Sequence, residues 1–187
     1  MYKRCLFIVE DNEELVAEIT ELAEEEEWDV QFARCVEDGI AHVKTLSINT
    51  QLQTILVLID LMLPKSKSDL EKLDEIMKQR EQIIIARLTS SGSTDLTAKV
   101  VDDARRELDK IDKEIRELTP MDSGIEFLNN VRKEITEWKI AVFSARNPDH
   151  LKDKIHDIVG DRLVDWLQKP ITPDRVINLL QKVGGDK

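Results

Sequence analysis

The chain has 187 residues, of which 41% are hydrophobic, and it carries a formal net charge of −11 at pH 7. This length allows one core with a small appendage and excludes two full domains. The acidic balance argues against nucleic acid or an anionic membrane as a partner, since both attract basic surfaces.

The sequence also indicates the compartment in which the protein is found. No stretch approaches the roughly 20 consecutive apolar residues of a membrane span, and the acidic pair that follows Val9 is unlike a secretory signal. The two cysteines, Cys5 and Cys35, lack zinc-type spacing. We therefore predict a soluble cytoplasmic protein with reduced thiols and no membrane association.

Strands and helices alternate in the first third of the chain. Residues 5–9 and 55–59 are continuous apolar runs, typical of buried parallel strands, and an acid follows each run. A shorter strand at 30–33 lies between them. Helical spacing of apolar residues predicts one helix after the capping residue Asn12 and another over 36–46.

The same alternation returns in the last third. The pattern predicts a helix over 123–134, a strand over 140–143, a helix over 148–158, a strand over 163–167 and a last helix with Pro173 at its first position. Strands alternating with helices indicate a parallel sheet with helices on both faces and right-handed crossovers.

Residues 65–120 interrupt this alternation with a highly charged segment. Apolar residues recur at helical spacing on both sides of a turn signal at 89–94, which contains Gly92. We predict an antiparallel, coiled-coil-like helical hairpin with arms of about 20 residues, each roughly 30 Å long. The chain is thereby divided into a body, residues 1–64 and 121–187, and an insertion, residues 65–120.

Polar side chains follow four of the predicted strands. The C-terminal ends of parallel strands meet at one edge of the sheet, where folds of this class place their sites. Glu10, Asp11 and Asp60 would converge there as hard oxygen ligands suited to Mg²⁺, and a carboxylate beside such an ion is a competent nucleophile toward phosphorus. Ser144 and Lys169 would supply a hydroxyl and a cation for phosphate oxygens.

Five short stretches carry a resemblance to a known family. They are FIVEDN at 7–12, LIDLMLP at 58–64, MDSG at 121–124, VFSA at 142–145 and KP at 169–170. All five occur in the right order, each at a strand end or a helix start of the predicted fold. By these stretches the chain resembles the receiver domain of two-component response regulators.

The resemblance implies a flavodoxin-like doubly wound α/β fold whose five parallel strands have the order 2-1-3-4-5, with the hairpin inserted between strand 3 and helix 3. It implies Asp60 as the phosphate acceptor. Glu10, Asp11, Asp60 and the main-chain carbonyl of Met62 would then hold Mg²⁺ or Mn²⁺.

The resemblance also implies a switch. Ser144 would be the hydroxyl that turns toward the phosphate, and Lys169 would be the ion-pair partner of that phosphate. Trp166 occupies the aromatic switch position, where tyrosine or phenylalanine is commoner and where a bulkier indole would rotate less readily.

The function implied is that of a stand-alone response regulator. A partner histidine kinase or phosphotransfer protein would phosphorylate it, and it would signal through contacts with a downstream protein. It would not be an enzyme beyond self-catalysed phosphotransfer and autodephosphorylation.

Two alternatives stay open. The chain could be a constitutive interaction module whose binding surface is the hairpin, which could also join two copies into a homodimer. It could also be a metal-dependent phosphatase, a weaker reading because Met62 stands where such enzymes carry a second acid.

Overall fold

The computed structural model describes residues 3–49, 52–90, 98–145 and 151–185. Its strands are β1 (Lys3–Val9), β2 (Trp28–Ala33), β3 (Leu52–Asp60), β4 (Lys139–Ser144) and β5 (Leu163–Gln168). Its α-helices are α1 (Glu13–Glu25), α2 (Val36–Ser47), α3 (Lys67–Ser90), α4 (Ala98–Leu118), α5 (Ser123–Val131), α6 (Lys152–Val159) and α7 (Pro173–Gly184).

The strands form a parallel sheet of order β2-β1-β3-β4-β5, which confirms the predicted topology. Val9 pairs with Ile59 across β1 and β3, and Asp60 pairs with Phe143 across β3 and β4. Because these pairs bring the C-terminal ends of the central strands into line, the residues that follow them share one edge of the sheet.

Apolar clusters cover both faces of the sheet, which explains why the central strands are hydrophobic throughout. On one face, strand residues such as Phe7 and Val57 pack against α2, α5 and α6. On the other face, strand residues such as Leu58 and Phe143 pack against α1 and α7. The sheet is therefore doubly wound.

Several elements have ends that differ from the predicted ones. β2 begins at Trp28 rather than at residue 30, and β3 begins at Leu52 because its first residues pair with the start of β1. Helix α5 ends at Val131 rather than at 134. The predicted start of the next helix falls on residues 146–150, which lie outside the described residues.

Two long helices follow β3, as predicted. Their antiparallel arrangement is shown by the Arg80 Nε to Asp112 Oδ1 distance of 3.1 Å and by a groove that Lys72 and Leu118 line together. The predicted turn is partly wrong, because Thr89 and Ser90 still belong to α3; residues 91–97 lie outside the described residues.

The ends of the helical insertion meet on the body. Gly124 N–H donates to Leu61 O at 3.1 Å, and Leu63 N–H donates to Ser123 Oγ at 2.7 Å. These contacts favour the division into a body and an insertion at 65–120, which stays a prediction.

None of the helices in the described ranges combines the length and the apolar character that crossing a bilayer requires.

Candidate functional site

Three carboxylates lie at the C-terminal edge of the sheet. Glu10 directly follows β1 and is 1% exposed, while Asp60 ends β3 and is 6% exposed. One carboxylate oxygen from each of Glu10, Asp11 and Asp60 lies within 4.8 Å of the other two. The parallel strands thus bring together acids that are about fifty residues apart in the chain.

Main-chain and side-chain donors hold the Asp60 carboxylate. Its Oδ1 accepts from Leu61 N–H at 2.6 Å and from Met62 N–H at 3.3 Å. Its Oδ2 accepts from Lys169 Nζ at 2.8 Å. The carboxylate therefore has a fixed orientation, with one oxygen held by the turn after β3 and the other facing a cation.

Lys169 bridges two of the acids. Its Nζ lies 2.7 Å from Glu10 Oε2 and 2.8 Å from Asp60 Oδ2, and 4.7 Å from the centroid of the Phe143 ring. Its main-chain N–H donates to Ser144 O at 3.0 Å, which fixes the loop after β5 against the end of β4.

The burial of these acids shifts their proton affinity. Burial raises the pKa of Glu10 to about 7, an increase that Lys169 opposes and the Asp60 charge reinforces. Burial and the Asp60 charge also raise the pKa of Asp11 to about 6. Burial alone would lower the pKa of Lys169, but the Asp60 and Glu10 charges outweigh it, and the pKa is raised.

The donor set fits a divalent cation. Carboxylate and carbonyl oxygens are the protein ligands that suit Mg²⁺ and Mn²⁺. Beyond the effect of burial, the Asp60 charge raises the pKa of both Glu10 and Asp11 against the opposing effect of Lys169, and a second cation would offset this repulsion.

The acids open into a cavity of about 570 Å³ that has two kinds of wall. One wall is the sheet edge, with Glu10, Asp60, Met62 and Lys169. The opposite wall comes from the helical insertion, and we call it the hairpin base: Leu73, Asp74, Met77, Ile115 and Thr119.

The predicted switch residues lie beside this cavity rather than in its lining. Ser144 is fully buried at the end of β4, and its main-chain O is bound to Lys169. Trp166 is 8% exposed within β5, two strands away from β3, which ends in Asp60. The roles predicted for Ser144, Trp166 and the Met62 carbonyl stay predictions.

Two residues of the site were not singled out from the sequence. Gly124 lies so close to the end of β3 that an added Cβ would stand 2.2 Å from Asp60 O, so only glycine fits there. Arg34 lines the cavity and contacts the β1–α1 loop and the insertion. Both residues could have been found from the sequence. Gly124 belongs to the MDSG stretch, and Arg34 directly follows β2 at the same sheet edge as the acids.

No protein-family model matches the sequence, and no curated protein matches it. Solved structures do match. A CheY-like response regulator receiver domain protein from Methanospirillum hungatei has a TM-score of 0.56 at 14% identity, with 97% of this chain and 93% of that chain covered. The chemotaxis response regulator CheY4 of Vibrio cholerae has a TM-score of 0.53 at 13% identity, with 98% and 99% covered. A phosphorylated cyanobacterial phytochrome response regulator, RcpA, has a TM-score of 0.53 at 14% identity, with 98% and 91% covered. This chain therefore has the fold of response regulator receiver domains.

Proposed function

We propose that this chain is a cytoplasmic receiver domain that accepts a phosphoryl group on Asp60. The donor is a phosphohistidine on a partner histidine kinase or phosphotransfer protein, and the reaction depends on a divalent cation. The observation that carries the proposal is the convergence of Glu10, Asp11, Asp60 and Lys169 at one sheet edge. This set offers a carboxylate that can attack phosphorus, and positive charge, from Lys169 and a bound ion, that can stabilise the transferred phosphoryl group.

The acceptor is prepared for attack on phosphorus. With one Asp60 oxygen held by two main-chain N–H groups, the carboxylate does not have to reorient when a donor arrives. An Asp60 oxygen forms a bond to phosphorus while the phosphorus–nitrogen bond of the donor breaks, and the histidine ring keeps the bonding electron pair. The product is an acyl phosphate on Asp60.

Lys169 supplies positive charge where the transferred group arrives. Its Nζ already contacts Asp60 Oδ2, so a small movement brings it to a phosphoryl oxygen. Glu10 and Asp11, with Asp60 and the Met62 carbonyl, would hold Mg²⁺ or Mn²⁺. The bound ion would screen the repulsion between the carboxylates and the incoming phosphoryl group.

Ser144 and Trp166 would transmit the new charge to the face formed by α6, β5 and α7. Ser144 is joined to the Lys169 main chain. Within the described part of the chain, the buried Trp166 Nε1 has no hydrogen-bond partner. A rotation of this indole would break no bond to Nε1, so a modest change at the site could move it.

The proposal is tested by mixing the protein with acetyl phosphate and Mg²⁺ and recording its intact mass. We expect a gain of one phosphoryl group, which EDTA and the Asp60→Asn substitution each abolish. Asp122→Asn is the matched control, since it removes an exposed acid near the site without touching the cluster. An equal gain in Asp60→Asn would overturn the proposal.

A constitutive interaction module is the second candidate. It is favoured by Met77 and Ile85 of α3, which are 47% and 51% exposed although they are large and apolar. A second copy of the chain is the simplest occupant of such a surface. Sedimentation should then show association that Ile85→Asp weakens and beryllofluoride, a phosphate mimic, leaves unchanged; association that appears only with beryllofluoride would favour the receiver.

A further inference from the structure

The hairpin base shares a cavity with the acceptor. Leu73 and Thr119 are each 4% exposed, Ile115 is half-buried and Met77 is 47% exposed, and all four line the cavity that contains Asp60 and Lys169. The apolar side chains among them, Leu73, Met77 and Ile115, contribute nothing to holding a cation or a phosphate. Their presence opposite a charged cluster narrows the space through which reactants reach Asp60.

One side chain ties this wall to the cation site. The Arg34 guanidinium donates from Nε to Asp11 O at 3.1 Å and from Nη2 to Asp74 Oδ1 at 2.8 Å. Its Nη1 also contacts Glu13 Oε1 at 2.5 Å. Arg34 therefore binds the loop that carries Asp11 and the helix that carries Met77 at the same time, and the Arg34 side chain is only 20% exposed.

A second set of contacts anchors the start of α3. Glu37 N–H donates to Lys65 O at 3.0 Å, and Lys67 N–H donates to Glu37 Oε2 at 3.2 Å. Lys67 Nζ lies 3.1 Å from Asp38 Oδ1. A tilt of α3 about this anchored start would change the distance between the hairpin base and Asp60, and the Arg34–Asp74 ion pair would resist such a tilt.

We propose that the hairpin base is a wall of the phosphoacceptor site, and that the Arg34–Asp74 ion pair holds it in place and so limits how fast water and phosphoryl donors reach Asp60. This inference rests on the proposed function. Hydrolysis of the acyl phosphate needs a water oxygen to bond to phosphorus while the bond from phosphorus to the Asp60 oxygen breaks. Inorganic phosphate leaves, the carboxylate re-forms, and the proton from water passes to solvent or to the phosphate.

The kinetic test compares wild-type protein with Asp74→Asn. After phosphorylation with acetyl phosphate and removal of the donor, loss of the phosphoryl group is followed by intact mass with Mg²⁺ present. A part-exposed ion pair can change the ratio of two conformations by up to about five-fold, so we expect hydrolysis to accelerate by up to about that factor. Met77→Ala, which thins the wall without removing the ion pair, should accelerate it in the same direction.

Asp112→Asn is the matched control. It removes the acid of the Arg80–Asp112 pair, whose side chains are 39% and 46% exposed and which joins the two helices of the hairpin to each other. We expect no change in the hydrolysis rate. Equal rates in wild-type protein, Asp74→Asn and Met77→Ala would overturn the inference, and so would an acceleration of the same size in Asp112→Asn.

A second readout separates this inference from the proposed function, because it needs no phosphorylation. Asp60→Cys places a thiol at the acceptor position, and the native Cys5 and Cys35 are fully buried. The alkylation rate of this thiol should rise when Asp74→Asn is added and stay the same when Asp112→Asn is added. If acetyl phosphate modifies no variant but thiol access still responds, the proposed function fails and the wall stands. If phosphorylation proceeds and neither rate responds, only the wall fails.

Discussion

The sheet with its covering helices, the body, and the hairpin of α3 and α4 are stabilised in different ways. The body buries apolar side chains on both faces of its sheet, including the fully buried Phe7, Phe127 and Phe143. Among the described side chains of α3 and α4, Leu73 and Ile111 are the buried ones. The other apolar residues that join the two arms, such as Leu70, Ile76 and Leu118, are only half-buried, so we expect the hairpin to change its position at a lower free-energy cost than the central strands do.

This difference assigns separate tasks to the two regions. The body supplies a rigid edge on which Glu10, Asp60 and Lys169 are held within hydrogen-bond distance. A packed core does not deform continuously, which suits a site that must keep its atoms in place. The hairpin, which is attached beside that edge, is suited to controlling access to it.

The largest contrast should appear in stability. Phe127→Ala removes a fully buried ring beneath α5 and should lower the free energy of unfolding by about 3–5 kcal/mol. Ile85→Ala, in the hairpin, removes a side chain that is 51% exposed and should lower it by less than about 1 kcal/mol. Urea unfolding monitored by circular dichroism measures both, and equal losses would contradict the comparison.

A smaller loss of stability is expected when the cation of the site, Lys169, is replaced. Lys169→Met leaves Glu10 and Asp60 buried next to each other without their shared partner, and should cost about 2 kcal/mol in EDTA. Adding Asp60→Asn to this variant removes one of the unpaired charges and should restore part of the loss. A double variant less stable than Lys169→Met alone would show that the repulsion between the acids is not the cause.

The smallest expected effect is a pH dependence of stability, with higher stability at lower pH. The pKa of Glu10 is raised from 4.5 to about 7, so the folded protein binds a proton at a pH where the unfolded chain does not. Stability in EDTA should therefore rise as the pH falls from about 8 to about 5, by on the order of 1 kcal/mol. Mg²⁺ favours the ionised acids, so its stabilisation should be greatest at the higher pH.

Glu10→Gln is the control for this prediction, because the acidic surface contributes its own pH dependence. Urea titrations across the same pH range should show a smaller rise for Glu10→Gln than for wild-type protein. Identical pH profiles would mean that Glu10 does not carry the effect.

Much of the body was predictable because its signals are local. Apolar runs at 5–9 and 55–59 are typical of buried strands, and the acids that follow them had to share an edge once the sheet was parallel. The confirmed strand order came from the family resemblance and not from periodicity. Helix ends were less predictable, as at α5, where the apolar pattern does not mark the last turn.

The sequence placed the start of the insertion just after Asp60, but the residues that form the opposite wall of the site were not predictable from it. Its contacts join Arg34 to Asp74, forty positions later, and depend on the tilt of α3 against the body. Apolar spacing predicted two packed arms but did not predict which side of the sheet edge they would cover. Long-range placement of an element with few buried contacts leaves little trace in local sequence patterns.

The most direct measurement locates the phosphoryl group. After reaction with acetyl phosphate and Mg²⁺, borohydride reduction converts an aspartyl phosphate to homoserine, and peptide mass spectrometry identifies its position. The account predicts homoserine at position 60, and none when EDTA replaces Mg²⁺. Modification at Asp11, Glu10 or a residue outside the cluster, with Asp60 intact, would contradict the account.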